Sequence, residues 1–255
     1  MKKKFKYLIS ILIFLIIGFF IFLNYKSIRY TGVNFIIESQ KISNFQKMND
    51  FYKRHNNYQE LTKKINNNDK NYVINVGKWV FKNINKVSSS DVIIDSHPWT
   101  IIERKIGTND QFSDITSVLL FYSGLDAFYI SRINKIFHPL TIFKFDNEWS
   151  LIDPYYGIYF LNNKSKFCNI EELKKNKCNL FHVNLGRIDQ NNLKKNNFTE
   201  DFKNFKDVNN YYHFLFKDIP SSKKIEETNI YLRGGRSYIQ KPIHRLFYQL
   251  QRSLN

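Results

Sequence analysis

Residues Gly107–Leu125 read GTNDQFSDITSVLLFYSGL, and residues His138–Gly157 read HPLTIFKFDNEWSLIDPYYG. The first stretch has the marks of a helix. Thr108 and Gln111 stand at the spacing of a capping box. Phe112, Ile115, Leu119 and, one helical step on, Tyr122 recur at the period of a buried face. Gly124 then supplies the left-handed residue on which helices commonly end. The second stretch changes period. Leu140 and Ile142 alternate with Thr141, Asp146-Asn147 is a turn pair, and Trp149, Leu151 and Tyr155–Phe160 continue as strands. A helix followed by successive strands predicts an α+β fold, with helices packed on an antiparallel sheet.

Outward from this centre the chain is less regular. Upstream, Val73, Val76, Val80 and Ile84 share one helical face, a core-packing pattern. A break at Ser88–Ser90 and an apolar run at Val92–Ile94 follow. Pro98 then suits the first turn of a short helix through Glu103. Phe128, Ile130 and Ile133 lie in an apolar stretch before His138. Residues 24–70 read as a polar connector with short helical pieces, marked by Phe45, Met48, Phe51 and Tyr52 at helical spacing. Residues 163–210 are rich in Lys and Asn and read as decoration of the domain. Pro242–Leu254 is amphipathic, with Ile243, Leu246, Phe247 and Leu250 opposed by Arg245 and Arg252, and is expected to dock on its own domain. Asn163-Lys164-Ser165 and Asn197-Phe198-Thr199 fit the glycosylation pattern by chance. Arg233-Gly234-Gly235-Arg236 lacks the lysine and serine of a phosphate loop and reads as a basic turn.

The ordered set within residues 72–160 resembles the transglutaminase-like superfamily, whose core has the papain-like fold. The family shows a cysteine opening a helix, an aromatic-small pair, a glycine ending that helix, a histidine opening a strand, then Trp and Asp-Pro. Phe112-Ser113, Gly124, His138, Trp149 and Asp153-Pro154 follow that order at the family's intervals, and GKWVFKNI from Gly77 resembles the helix that precedes the core. The resemblance implies a site in which a helix dipole favours a thiolate, His138 moves the proton and Asp153 orients the imidazole. Trp149 is expected as a core or cleft-wall residue, and Asp110 is expected to line the cleft.

The nucleophile position, counted back from Gly124, holds Asn109. An amide neither ionises nor attacks acyl groups, so the thiol chemistry is expected to be lost. Three roles stay open for Asn109. It caps the helix, it hydrogen-bonds His138 in a polar cluster that binds a ligand, or it has ceded the nucleophile's role to a neighbour such as Asp110 or Ser113. The leading expectation is a catalytically inactive domain that binds a peptide, glycan or protein partner. The alternative is an active acyl transferase or amide hydrolase with a relocated nucleophile, for which Cys168 is the thiol nearest the core in sequence.

Tyr7–Leu23 carries no charge and, with its flanks, is long enough as a helix to cross a hydrocarbon core of about 30 Å. A cleaved signal peptide has a shorter apolar run and small residues at its cleavage site, both missing here. Lys2, Lys3, Lys4 and Lys6 outweigh Lys26 and Arg29, which predicts a cytoplasmic N-terminus and an extracytoplasmic bulk, periplasmic or on the cell surface. The expected organisation is a basic tail (1–6), an anchor (7–24), a helical connector (25–70), a core (71–162) and a C-terminal extension packed on it (163–255). A Lys- and Asn-rich composition, as in INNNDKN at Ile65–Asn71, has the bias of an AT-rich genome and points to a bacterial envelope protein. The net charge of +17 is scattered and lacks any nucleic-acid motif, so it fits anionic lipid or envelope polymers better than nucleic acid. The two cysteines, Cys168 and Cys178, are a candidate disulfide in an oxidising compartment and too few for a zinc site. No metal or cofactor is expected.

Overall fold

The computed structural model describes residues 2–33, 36–66, 71–87, 97–133, 136–188, 208–228 and 241–251. The readings at Ser88–Ser90, Val92–Ile94, Asn197–Thr199, Arg233–Arg236 and Arg252–Leu254 lie outside these residues. Helix α1 (Lys2–Asn24) leads the chain. Its segment Lys4–Asn24 is long and apolar enough to cross a membrane, and none of its apolar window is buried in the protein, although an N-terminal signal sequence passes the same test.

The segment read as a helical connector opens instead with an antiparallel hairpin, β1 (Lys26–Val33) and β2 (Ile36–Ser43). Most of it is exposed, so no alternation of buried and solvated residues announced it. One long helix, α2 (Asn44–Asn66), then follows rather than several short ones. Ser43 and Gln46 start it with reciprocal bonds. The Ser43 N–H donates to Gln46 Oε1 at 2.7 Å, and the Gln46 N–H donates to Ser43 Oγ at 3.1 Å. Buried Asn44 ties this start back to α1, donating from Nδ2 to the Phe22 carbonyl at 3.0 Å and from its own N–H to the Tyr25 carbonyl at 3.0 Å.

Helices α3 (Tyr72–Asn83), α4 (Pro98–Arg104) and α5 (Asn109–Tyr122) come next. The short strands β3 (Asn85–Lys86) and β4 (Ile106–Gly107) pair between them. Val73, Val76, Val80 and Ile84 are buried as their spacing predicts, as are Phe112, Ile115 and Leu119. Gly124 adopts φ +92, and the Leu125 N–H closes on the Leu120 carbonyl at 3.1 Å, ending α5 as expected.

The sheet is an antiparallel meander of β5 (Ala127–Ile133), β6 (Ile136–Phe145), β7 (Glu148–Asp153), β8 (Ile158–Leu161), β9 (Asn179–His182) and β10 (Gly186–Arg187). Asp146 and Asn147 both take positive φ, which makes the tight hairpin turn whose twist suits the flanking strands. The α+β expectation holds. One sheet face packs Phe143, Ile152 and Tyr159 against α3, α4 and α5. The other packs Leu140, Ile142, Trp149, Leu151 and Phe160 against α6 (Ile170–Lys174), α7 (Val208–Phe216) and α8 (Ser222–Thr228).

The sheet therefore does not end at residue 162. Strands β9 and β10 belong to it, and Cys168, Ile170, Leu173 and Leu180 are core residues rather than decoration. They stand singly among Lys and Asn, which hid their periodicity. Helix α9 (Pro242–Gln251) docks on its own domain as expected, and Leu246 of its apolar stripe is buried. Arg245 faces inward as well and pairs with buried Asp114 of α5 through both terminal guanidinium nitrogens, while Ile243 and Phe247 of the stripe are exposed. A buried carboxylate needs its counter-ion more than those apolar side chains need burial. Arg245→Ala should lower the stability of the full chain by about 3–5 kcal/mol in denaturant unfolding, whereas replacing Asp114 and Arg245 together by apolar residues should recover most of the loss.

Candidate functional site

His138 is the third residue of β6 and Asp153 closes β7. The tight turn fixes Thr141 opposite Ile152, which brings the start of one strand beside the end of the other. A register shift reinforces this. Arg132 pairs with Phe137 and Ile130 with Leu140, so His138 and Pro139 together oppose Ser131 in a bulge. Pro139 has no N–H to lose there. His138 Nε2 lies 2.7 Å from Asp153 Oδ2.

Asp153 is fully buried and collects donors from three directions. Oδ2 accepts from His138 and from the Tyr212 hydroxyl at 2.7 Å, and Oδ1 accepts the Tyr156 N–H at 3.1 Å. The Tyr211 hydroxyl stands 2.9 Å from His138 Nδ1. In a neutral ring the network sets the tautomer: a carboxylate can only accept, so Nε2 carries the hydrogen and Nδ1 accepts from Tyr211. Burial and the neighbouring Asp153 push the Tyr211 phenol up to about 12 and the Tyr212 phenol well above its usual value. Both therefore stay protonated donors. The Tyr156 ring stacks on the imidazole at 5.8 Å, and the Tyr211 and Tyr212 rings meet it edge-on at 5.4 Å and 5.8 Å.

The other expected residues do not join this group. Among the described residues, every side-chain bond and ring contact of His138 and Asp153 goes to β6, β7, the turn at Tyr156 or α7, and none goes to α5, which covers the opposite face of the sheet. Asn109 Oδ1 accepts the Asp110 N–H at 2.9 Å, and the Thr108 hydroxyl donates to Asp110. Both residues thus serve the start of α5, which is the capping role among the three, and Asp110 is no cleft wall by any of these contacts. Ser113 is buried, its hydroxyl makes no hydrogen bond among the described residues, and its carbonyl accepts from Thr141 at 2.9 Å. Cys168 and Cys178 are joined in a disulfide, which removes Cys168 as a thiol nucleophile.

Trp149, expected as core or cleft wall, is a core residue. It packs edge-on against Phe128 at 5.6 Å, and its indole N–H donates to Glu226 at 2.8 Å. The cause is the period of two along β7. Trp149, Leu151 and Asp153 share one face, and α8 covers the Trp149 end of it. Tyr156, Tyr211 and Tyr212 were not anticipated. In VNNYYHFLF the two tyrosines of α7 look like ordinary helix packing, and nothing local ties them to a strand more than fifty residues earlier.

A second group adjoins the first. The Lys86 ammonium lies 4.6 Å from the Tyr155 ring centre, 5.3 Å from that of Tyr156 and 5.5 Å from that of Phe81. Tyr155 also meets Phe112 of α5 edge-on at 5.1 Å. Gly157, at φ +66, admits His182 beneath this ledge, since a Cβ there would stand 2.9 Å from His182 Nε2. Among the described residues no group of three or more His, Cys, Asp or Glu is placed to hold a metal. Compared with protein-family models, with curated proteins and with solved structures, the chain matches none.

Burial, and then the Lys86 charge, lower the His182 imidazole from 6.5 to about 4. The unfolded chain takes up that proton first as pH falls, so the contribution of neutral His182 is complete above about pH 6.5 and is lost on the way to about pH 4. Denaturant midpoints should fall over that window in the native chain and fall less in His182→Gln.

Proposed function

We propose that the chain is a membrane-anchored domain of transglutaminase-like, papain-like build that binds a peptide, glycan or protein partner in the bacterial envelope and does not catalyse acyl transfer. The observation that carries the proposal is the occupation of both imidazole nitrogens of His138, one by Asp153 and the other by the Tyr211 phenol. A general base needs a free lone pair directed at its nucleophile. Here that lone pair is spent inside the protein. The amide at position 109 and the locked Cys168 agree with a site that has no nucleophile. Beside the closed pair, the faces of Tyr155 and Tyr156 and the exposed ammonium of Lys86 offer the mixture of aromatic surface and charge that peptides and sugars bind.

The anchor reading draws on α1 and its basic leading flank, which supports a cytoplasmic N-terminus with the remainder outside. The disulfide supports that side, since such bonds persist in oxidising compartments.

A second reading has one observation in its favour. Tyr211, His138 and Asp153 form a hydroxyl–imidazole–carboxylate series, the order found in nucleophilic hydrolases. The raised phenol pKa weighs against it, because the attacking form is the phenolate. One assay separates the two. The full chain in detergent micelles is offered glutamine-amide, peptide and ester substrates, with His138→Ala and Tyr211→Phe alongside. The binding reading expects no turnover above buffer in any of the three. Turnover that both variants abolish sinks it in favour of the second.

A further inference from the structure

The β1–β2 hairpin carries its polarity inside out. Residues paired across an antiparallel ribbon share a face. Ile28 with Lys41, Tyr30 with Ser39 and Gly32 with Ile37 therefore lie on one side, while Ser27 with Ile42 and Arg29 with Gln40 lie on the other. The second side is turned to α2. Arg29 lies 3.9 Å from Asp50 of that helix, and Ser27, Arg29 and Ile42 are half-buried. The first side faces away and holds large apolar groups in the open. Ile28 is 55% exposed, Tyr30 53% and Ile37 47%. They are not scattered singly, since Ile28 and Tyr30 are successive on that face and Ile37 sits diagonally across from Tyr30. In water a ribbon gains by covering such a stripe and leaving its polar side wet. Along β1 the part-covered positions are the polar ones instead.

What covers the stripe follows from where the hairpin is fastened. The Tyr25 N–H donates to the Phe22 carbonyl at 3.2 Å, the Asn44 N–H donates to the Tyr25 carbonyl at 3.0 Å, and Asn44 Nδ2 donates to the Phe22 carbonyl at 3.0 Å. Both ends of the hairpin are thus held at one point, the end of an apolar helix long enough to cross a bilayer. Tyr25 and Phe45 are exposed at that point, where aromatic rings settle between hydrocarbon and water. Lys26 and Lys41 are exposed on the same face as Ile28 and Tyr30. Their apolar stems and charged heads suit the same layer, as does a tyrosine with its hydroxyl. A second copy docking through this face would bring those lysines toward their own counterparts, and no acid stands in register on that face to answer them. Anionic lipid headgroups would answer them.

We propose that the outward face of the hairpin lies in the headgroup layer of the bilayer that α1 crosses, with Ile28, Tyr30 and Ile37 set among the lipids. The domain is then held to the surface by a ribbon as well as by its anchor. The inference rests on α1 being a retained anchor.

The full chain is reconstituted in vesicles of phosphatidylglycerol and phosphatidylcholine whose acyl chains carry bromine just below the headgroups. Tyr30→Trp and Ile37→Trp should lose emission to the bromines relative to the native chain, whose own 3 tryptophans set the baseline, and Gln40→Trp on the other side of the ribbon should not. The native chain gives a readout that no variant can spoil: a phosphatidylcholine with a photoreactive diazirine high on its acyl chain should label the segment Lys26–Ser43. Absence of both quenching and labelling overturns the proposal, and equal quenching on the two sides overturns the assignment of the face. Blue-shifted emission from Tyr30→Trp that bromine leaves unquenched overturns it in favour of a protein partner or a second copy. The mass of the chain recovered from membranes tests the anchor separately. A shortened N-terminus sinks that reading, while an intact one without quenching or labelling sinks the hairpin contact alone.

Discussion

The Asp153 carboxylate has no exposure to solvent, and a buried charge survives only where enough donors replace its water. It obtains them from parts of the chain far apart in sequence: the imidazole of β6, the Tyr156 N–H of the turn before β8, and the Tyr212 hydroxyl of α7. That requirement explains why the second half of the chain cannot be a loose appendage. Helix α7 must lie across the sheet for Tyr212 to reach Asp153, and Val208, Leu215 and Phe216 of the same helix then fill the core on that face. Local satisfaction of one carboxylate and packing of one sheet face are the same event.

The consequence for chemistry follows from geometry. His138 is oriented by its carboxylate, as an imidazole in a proton-relay site is, yet its remaining nitrogen is closed by Tyr211 of the same helix. The helix that opens at Asn109 lies on the other side of the sheet and contributes Phe112, Ile115 and Leu119 to a separate core. The tyrosine-lined pair is therefore a closed polar cluster beside the rings of Tyr155 and Tyr156, and the proposed binding role draws on that closure.

Much of this was legible in the sequence where local signals are strong. The capping pair Thr108 and Gln111, the stop at Gly124 and the turn at Asp146-Asn147 rest on spacing within one or two elements, while the meeting of His138 with Asp153 was expected only from the family resemblance. The hairpin at Lys26–Ser43 was not legible, because an exposed two-stranded ribbon has no buried face to set a period. The sequence left Trp149 between core and cleft wall because a family position says where a residue sits in the chain and not which face of the strand is covered. Tyr211 and Tyr212 escaped because their partners lie more than fifty residues away and an intervening stretch of Lys and Asn carries no pattern. The inward turn of Arg245 has the same origin, since only the fold reveals that Asp114 is buried beneath it.

The central claim is that Tyr211 and Asp153 hold both nitrogens of His138. Nitrogen-15 NMR of histidine-labelled full chain, with the resonance assigned through His138→Gln, reads it most directly at a pH above the imidazole range. The account predicts hydrogen on Nε2 and an Nδ1 that accepts a hydrogen bond, with the Nδ1 signal moving toward that of a bare lone pair in Tyr211→Phe. A ring that averages between tautomers, or an Nδ1 signal that Tyr211→Phe leaves unchanged, contradicts it.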